Sequence, residues 1–310
     1  MKCQVTQMTS PNQTSAPAWS AVSERNLGAV LSGVDLTAIA SEDIGDLLRG
    51  HLEGHYVVVV KGQHLTENDH GRISESLGKM QSQERKMATG EPWSSVHLIT
   101  NLDLHGKPSE NPYIAETFLW HTDMSHKEAP VSYTLLYALE LPPTGGETQF
   151  ADMYAAYDDL PVGDQRRLSG MCVVHSRRRN YIASAQGQMN GSFPTVVHPL
   201  VRVHPDSKRK CLYIGLTAEQ IVGMDAKESR ELLDTLIAHS TQPKYVYSHK
   251  WSLGDLVIWD NRCLMHRAAR DYEMARYRRT MRRSSVVGST PAGVGSQDND
   301  AIEAASKANV

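Results

Sequence analysis

The chain lacks the features that mark several large classes of protein. Its 310 residues include four widely scattered cysteines and no CxxC pair. This usage argues against a disulfide framework or a zinc knuckle and favours a reducing compartment. The longest purely aliphatic run covers residues 57–60, which is far too short to cross a membrane. Residues 1–20 lack the apolar segment of a signal peptide, so we expect a soluble cytoplasmic protein.

The chain also lacks an excess of charge of either sign. It has 32 basic and 35 acidic residues and a net charge of -3, so no basic surface for nucleic acid is expected. Hydrophobic residues make up 40% of the chain, which is enough to bury a sizeable core. Composition therefore predicts a soluble globular protein without a nucleic-acid or membrane partner.

The two ends of the chain differ in composition from the middle. Residues 1–20 are rich in Thr, Ser, Gln and Pro, and residues 288–310 in Gly, Ser, Asn and Ala. Neither segment has a periodic apolar pattern, so both are predicted to be flexible tails. Residues 21–287 are predicted to form a single domain.

Three helices can be predicted from their first turns and apolar faces. Ser41 is a suitable N-cap for the first helix, whose first turn is acidic. Thr66 and Asp69 form a capping-box-like start for the second helix. Asp225 and Glu228 give a similar start for the third, which carries an apolar stripe.

Strand-like segments dominate the second half of the chain. Residues 142–146 (PPTGG) form a strong turn signal between two of these segments. Many strands with few helices predict a mainly β protein with helical insertions, either a sandwich or a jelly roll. The predicted strands are residues 56–60, 131–141, 147–151, 195–204, 210–214, 245–251, 255–260 and 277–287.

His-x-acid triplets suggest a metal site, but four of them occur. With 14 histidines and 35 acidic residues, such triplets are common by chance. Residues i and i+2 share a face on a strand and diverge on a helix, so local structure must select among them. The triplet at residues 51–53 lies in the first predicted helix, and the triplets at 126–128 and 204–206 lie in segments that resemble loops. His121 and Asp123 follow an apolar segment that we predict to be a strand, and a hydrogen-bonded polar pair is the alternative.

A distant histidine strengthens the selection of this triplet. Residues 256–259 (LVIW) form an apolar strand that runs into a turn and returns through residues 264–265 to His266. Two imidazoles and one carboxylate are the donor set of the facial triad, which binds non-haem Fe(II) and leaves positions open for substrate and oxygen. His121, Asp123 and His266 are therefore the candidate metal ligands.

Several motifs, taken in order, resemble those of the taurine and 2,4-dichlorophenoxyacetate dioxygenase family. They are WHTD (residues 120–123), GGETQFADM (145–153) and WDNRCLMHRA (259–268), which precedes an arginine-rich strand. The segments at 28–36 and 57–66 also fit, so the resemblance covers roughly residues 25–287. It implies a double-stranded β-helix (jelly roll, cupin-like) that uses Fe(II), 2-oxoglutarate and O2, with the iron held by the three ligands above.

The same resemblance implies that Thr148 and Arg279 bind the distal carboxylate of 2-oxoglutarate. Arg279 follows His266 by 13 residues, slightly more than is usual in the family, so Arg276 and Arg278 remain alternatives. The residues themselves support an inward arginine with a carboxylate partner, since an unpaired buried charge is too costly. A solvated basic face or a phosphate-binding patch is the other interpretation of the seven nearby arginines.

The sequence says less about the identity of the substrate than about the metal and 2-oxoglutarate sites. By the same resemblance, Arg283 matches a second inward arginine that meets the anionic end of the substrate, and a rim salt bridge is the alternative. We expect a small carboxylate, sulfonate or sulfate that is hydroxylated, with C–O or C–S cleavage in some cases. His126 lies where relatives carry a pocket residue, or it faces water in a loop. Thr117 stands where some relatives have an asparagine, so the contact that this asparagine makes in those relatives is not expected here.

Two other functions and the oligomeric state remain open from the sequence. One alternative is a cupin-type hydrolase or isomerase that uses the metal triad without 2-oxoglutarate. The other is a binding protein with a vestigial site. The sequence permits a homo-oligomer without predicting one.

Overall fold

The apolar strands pair into one large sheet that faces a smaller one. A computed structural model describes this arrangement for residues 18–22, 27–82, 95–110, 115–179 and 193–295. The strands are β1 Ala18–Ala21, β2 Ala29–Ser32, β3 Val57–Val60, β4 His97–Thr100, β5 Val131–Glu140, β6 Thr148–Asp152, β7 Cys172–Ser176, β8 Thr195–Pro199, β9 Val201–Val203, β10 Lys210–Leu212, β11 Ala218–Ile221, β12 Val246–His249, β13 Leu256–Asp260, β14 Leu264–Ala268 and β15 Thr280–Val287.

Helices are few among the described residues. They are α1 Ser41–His55, α2 Glu67–Leu77, α3 Met153–Asp158, α4 Val162–Ser169 and α5 Ala226–Ser240, with 3-10 turns at Leu36–Ala38, Ala115–Phe118 and Pro243–Tyr245. The large sheet has the order β1-β2-β3-β13-β5-β15-β4, and the facing sheet has the order β12-β6-β14. Two smaller sheets, β11-β7-β8 and β10-β9, extend the structure.

The core between the two facing sheets follows from the two-residue period of the strands. On β5, Leu136 and Ala138 point into this core, where they join Phe150 of β6 and Leu264 of β14. Nearly all of these side chains are fully buried. A mainly β protein built on two facing, mostly antiparallel sheets is the predicted jelly roll with helical insertions.

The outer face of the large sheet is covered by the first two helices. Leu135 and Tyr137, the alternate residues of β5, belong to a second apolar cluster. Leu48 of α1 and Ile73 of α2 complete that cluster and are both fully buried. Because both faces of the central strands are covered, their backbone is firmly held, and so is the site they carry.

Most predicted elements occur within a few residues of their expected bounds, and the differences have local causes. The capping box of Thr66 and Asp69 is present. The prediction that Ser41 is the N-cap of α1 is wrong. Ala40 takes that position, without a side-chain hydrogen bond. β15 begins at Thr280 instead of residue 277, because Tyr277 still belongs to the preceding turn, where its N–H donates to the Glu273 carbonyl over 3.0 Å.

The predicted tails differ from the structure at their inner boundaries. β1 begins at Ala18, inside the segment predicted to be flexible, because it pairs with β2. At the other end, the Val203 N–H donates to the Ala292 carbonyl over 2.8 Å. Residues 1–17 and 296–310 lie outside the described residues. Across the described ranges, no helix combines the length and apolarity that a membrane crossing needs.

Candidate metal and cosubstrate site

His121 and His266 are brought together by backbone hydrogen bonds. Each N–H donates to the carbonyl of the other, over 3.1 and 2.8 Å, in an isolated antiparallel bridge. His266 is part of β14, whereas His121 belongs to no strand and Asp123 begins a turn. The predicted strand at this point is therefore wrong. The backbone bridge between His121 and His266 brings the ligands together, and the turn that begins at Asp123 includes Met124, whose φ is +52°.

The three predicted metal ligands form one compact group. Their donor atoms all lie within 4.8 Å of one another. His121 Nε2 is 3.7 Å from Asp123 Oδ1, and His266 Nε2 is 3.6 Å from Asp123 Oδ2. Donors placed about 2 Å from a single ion can be at most about 4 Å apart, so these two separations fit a shared metal ion. Two imidazoles and a carboxylate are the donor set that suits Fe(II).

The electrostatics keep Asp123 and His266 in the protonation states that a metal requires. Burial raises the pKa of the Asp123 carboxyl, but Arg283, the two histidines and the Thr134 hydroxyl outweigh it and hold that pKa well below its usual range. Burial and then His121 lower the pKa of His266, with Asp123 in opposition. Asp123 is therefore an anion and His266 is neutral at physiological pH, as metal ligands must be.

The ligand side chains are also oriented by neighbouring groups. His121 Nδ1 donates to the Leu119 carbonyl over 2.7 Å, which assigns its proton and leaves Nε2 as the donor to a metal. Asp123 Oδ2 accepts a hydrogen bond from the Thr134 hydroxyl over 2.7 Å and forms an ion pair with Arg283 Nη2 over 2.6 Å. His266 Nδ1 is buried and has no hydrogen-bond partner in the part of the chain that the structure describes.

The remaining His-x-acid triplets do not form comparable groups. The first lies within α1, and the other two lie in turns or bends. His204 does approach Asp260 and Cys263, and all three are buried. Asp260, however, is paired with Arg262 Nη2 over 2.7 Å. Since a guanidinium already compensates that carboxylate, we interpret this second group as a structural ion pair.

Arg279 is the buried arginine among the three candidates. It is 8% exposed, and its Nε donates to the Gly146 carbonyl over 3.0 Å. The side chain of Arg278 is half exposed and pairs with Glu140, and that of Arg276 is largely exposed beside Glu273. Burial lowers the pKa of Arg279, with Tyr272 and Asp271 in opposition. Within the described part of the chain it forms no ion pair, so its charge calls for an anionic ligand.

Thr148 completes this pocket with a hydroxyl whose hydrogen is available. Its Oγ1 accepts from Trp251 Nε1 over 3.1 Å and from Arg279 Nη2 over 3.5 Å. With both interactions using the oxygen as acceptor, the hydrogen can be donated to a ligand. Arg279 also lines a small pocket that Asn101, Phe118 and Tyr272 help to form.

Gly146 allows the backbone to approach Arg279 closely. Its φ is +72°, a conformation that glycine adopts readily. A Cβ at this position would lie 3.2 Å from Arg279 Cδ. The glycine pair before Thr148 thus allows the close packing that buries the guanidinium.

Each of the two predicted substrate residues follows a different metal ligand in the sequence. Arg283 contacts Asp123 directly, and its side chain is 17% exposed, so part of the guanidinium is open to a ligand. His126 lies in the turn after Asp123 and is half-buried. Arg282, next to Arg283, points away and donates to the Leu65 carbonyl.

Sequence reasoning missed three residues that shape the site. Thr134 and Asn261 hydrogen-bond to the metal-ligand segment, and Trp251 hydrogen-bonds to Thr148. Asn261 lies inside the WDNR motif, which could have drawn attention to it. Thr134 lies within an apolar strand and gives no local signal, because its role depends on long-range pairing.

Comparisons with known proteins agree with the geometry. The sequence profile of the taurine catabolism dioxygenase TauD, TfdA family matches residues 16–285. An alpha-ketoglutarate-dependent 2,4-dichlorophenoxyacetate dioxygenase from Burkholderia sp. (strain RASC) is 34% identical, over 81% of this chain and 88% of the relative. An alkylsulfatase from Acinetobacter baylyi is 28% identical, over 86% and 84% of the two chains. The crystal structure of AAD-2 with Mn(II) and N-oxalylglycine superposes with a TM-score of 0.81 at 30% identity, covering 89% of this chain and 99% of that one.

Proposed function

This chain belongs to the taurine catabolism dioxygenase TauD/TfdA family, and we propose that its substrate is a small organic anion recognised by Arg283. As a member of that family, it is an Fe(II)- and 2-oxoglutarate-dependent dioxygenase, an oxidoreductase that also uses O2. The three described cysteines are free thiols, which supports the proposed cytoplasmic location.

His121, Asp123 and His266 are the proposed iron ligands. Their support is the convergence of the donor atoms, all within 4.8 Å, together with the burial of Asp123 and His266. When bound, the iron and its cosubstrate supply the oxidising chemistry, in which 2-oxoglutarate becomes succinate and CO2 and a substrate C–H bond is hydroxylated. Collapse of the product can then cleave a C–O or C–S bond.

The proposed role of Arg279 and Thr148 is to hold the distal carboxylate of 2-oxoglutarate. The supporting observation is a buried guanidinium that forms no ion pair within the described residues, beside a hydroxyl whose hydrogen is free to donate. A carboxylate can accept from both groups at once, and such charge-assisted hydrogen bonds are about twice as strong as neutral ones. A metal-dependent hydrolase or isomerase that does not use 2-oxoglutarate would have no evident ligand for this anion site.

Arg283 is proposed to recognise the anionic end of the substrate. It already neutralises Asp123 through Nη2, and its partial exposure leaves other N–H groups able to meet a second anion. The names of several relatives describe anionic substrates, namely 2,4-dichlorophenoxyacetate, alkyl sulfates and sulfonates. His126, half-buried after the metal-ligand turn, is proposed to contribute a polar wall to the same pocket.

A panel of matched substrates tests this proposal. Succinate release would be measured for small carboxylates, sulfonates and alkyl sulfates, each beside a neutral alcohol or ester of the same skeleton. We expect turnover of anionic members and little turnover of neutral ones. Arg283→Gln, assayed at saturating Fe(II), should raise KM for the anion, whereas Arg282→Gln should not, since Arg282 points away from the site. Equal turnover of the charged and neutral partners would contradict the role given to Arg283.

A further inference from the structure

Asn261 occupies a position in which its side-chain amide can adopt only one orientation. Its Oδ1 accepts from Trp259 Nε1 over 3.1 Å and from the backbone N–H of Asp123 over 3.3 Å. An indole N–H and a backbone N–H can only donate, so this atom must be the oxygen. The Asn261 amide nitrogen is therefore the atom that lies 2.9 Å from Thr134 Oγ1 and donates to it.

This donation fixes the direction of the next hydrogen bond. Thr134 Oγ1 accepts from Asn261 and lies 2.7 Å from Asp123 Oδ2. An ionised carboxylate only accepts, so the Thr134 hydrogen points to Asp123. Ser285 Oγ, 3.4 Å from Thr134 Oγ1, is a more distant neighbour. A one-way chain of donors thus runs from Asn261 through Thr134 to Asp123.

The two oxygens of Asp123 are consequently not equivalent. Oδ2 accepts a hydrogen bond from Thr134 over 2.7 Å and forms an ion pair with Arg283 Nη2 over 2.6 Å. Among the described residues, Oδ1 receives no such donor. It lies 3.7 Å from His121 Nε2, and Oδ2 lies 3.6 Å from His266 Nε2. We propose that Thr134 and Asn261 are positioning residues that hold the Asp123 carboxylate, through its Oδ2, in the orientation in which it meets the metal ion. This inference rests on the metal ligands assigned under the proposed function.

Both positioning residues belong to the rigid part of the fold. Thr134 is fully buried on β5, at the centre of the large sheet. Asn261 is 1% exposed, and its backbone N–H donates to the Ser132 carbonyl over 2.8 Å. Groups behind a metal ligand typically set its orientation, and their loss costs 10- to 100-fold in metal affinity. A carboxylate released from Thr134 could rotate, and the ion would meet a less ordered ligand.

Metal titration of the protein prepared without metal tests the proposal independently of activity. Mn(II) affinity would be measured by calorimetry for the parent protein and for the Thr134→Val and Thr134→Ser variants. We expect Thr134→Val to bind Mn(II) about 10- to 100-fold more weakly. Thr134→Ser retains the hydroxyl and should stay within a few-fold of the parent. Ser132→Ala is the matched control, because it removes a buried hydroxyl from the same strand that donates to the carbonyls of Val286 and Val287 instead of a metal ligand.

The possible outcomes distinguish three cases: a positioning role of Thr134, a general loss of protein stability, and a wrong assignment of the metal ligands. The melting temperature of each metal-free variant is measured in parallel, and Thr134→Ala replaces Thr134→Val if the latter does not fold. Affinity within twofold of the parent in Thr134→Val, or an equal loss in Ser132→Ala, would overturn the positioning role. His121→Ala serves as the reference: if it too binds Mn(II) normally, the ligand assignment fails. If only His121→Ala loses the metal, the site stands and the role of Thr134 does not.

Discussion

Removing the Arg279 guanidinium should weaken 2-oxoglutarate binding far more than metal binding. Arg279 contacts Gly146 and Thr148, and none of its hydrogen bonds reaches a proposed metal ligand. Its charge is buried and forms no ion pair among the described residues, so a bound carboxylate would be its first anionic partner. Arg279→Ala would leave that carboxylate in a buried pocket with Thr148 as its remaining donor.

The size of the effect follows from the burial of the pair. Truncating one partner of a buried, hydrogen-bonded charge pair costs about 2 to 5 kcal/mol. Since about 1.4 kcal/mol corresponds to a tenfold change, the affinity for 2-oxoglutarate should fall at least about 30-fold. Metal affinity should stay within a few-fold of the parent. Arg279→Lys should also bind 2-oxoglutarate weakly, because an ammonium cannot reproduce the planar fork of the guanidinium.

The assay is calorimetric titration of 2-oxoglutarate into anaerobic Mn(II)-loaded protein, after a separate titration with Mn(II) alone. Arg278→Ala is the matched control, because that side chain is half exposed and pairs with Glu140 over 2.7 Å. The control should bind both ligands normally. Equal weakening of metal and 2-oxoglutarate by Arg279→Ala would refute the reasoning, and so would a larger effect of Arg278→Ala.

Three further predictions concern the site and the stability of the fold. His121→Ala should abolish the weak visible absorption band that we expect when Fe(II) and then 2-oxoglutarate are added without oxygen; an unchanged band would exclude His121 as a ligand. Burial, then Arg282 and His97, lower the pKa of His70 from 6.5 to about 3 in the folded protein. Below pH 6.5, His70 therefore becomes protonated in the unfolded chain but stays neutral in the folded chain. The contribution of His70 to stability should therefore fall by about 2 kcal/mol between pH 6.5 and 5, and urea unfolding at both pH values should show a smaller drop in His70→Gln. Thr66→Ala should reduce the free energy of unfolding by about 1 kcal/mol through loss of the capping box, and an unchanged urea midpoint would contradict this.

The parts of the fold that sequence predicts well are those set by local pattern. The strand β5, the capping box at Thr66 and the turn before Thr148 each depend on neighbouring residues, and each is present in the structure. Ser41 shows the limit of such reasoning. A suitable capping residue became the first residue of α1, because the preceding Ala40 already has the extended backbone of an N-cap.

The candidate site was less accessible to local reasoning because it is built by long-range pairing. The predicted strand through His121 and Asp123 is absent, and a backbone bridge to His266, 145 positions later in the sequence, brings the ligands together instead. The carboxylate contacts of Thr134 and Arg283 also depend on register between distant strands. The order of the motifs, which reflects the whole fold, therefore indicated the site better than the His-x-acid spacing did.

A crystal structure of the protein grown with Mn(II) and 2-oxoglutarate under anaerobic conditions tests the central assignment most directly. Anomalous scattering should reveal one ion in contact with His121, Asp123 and His266, with the distal carboxylate of 2-oxoglutarate at Arg279. An ion bound elsewhere, or His266 turned away from an ion held by the other two residues, would contradict the assignment.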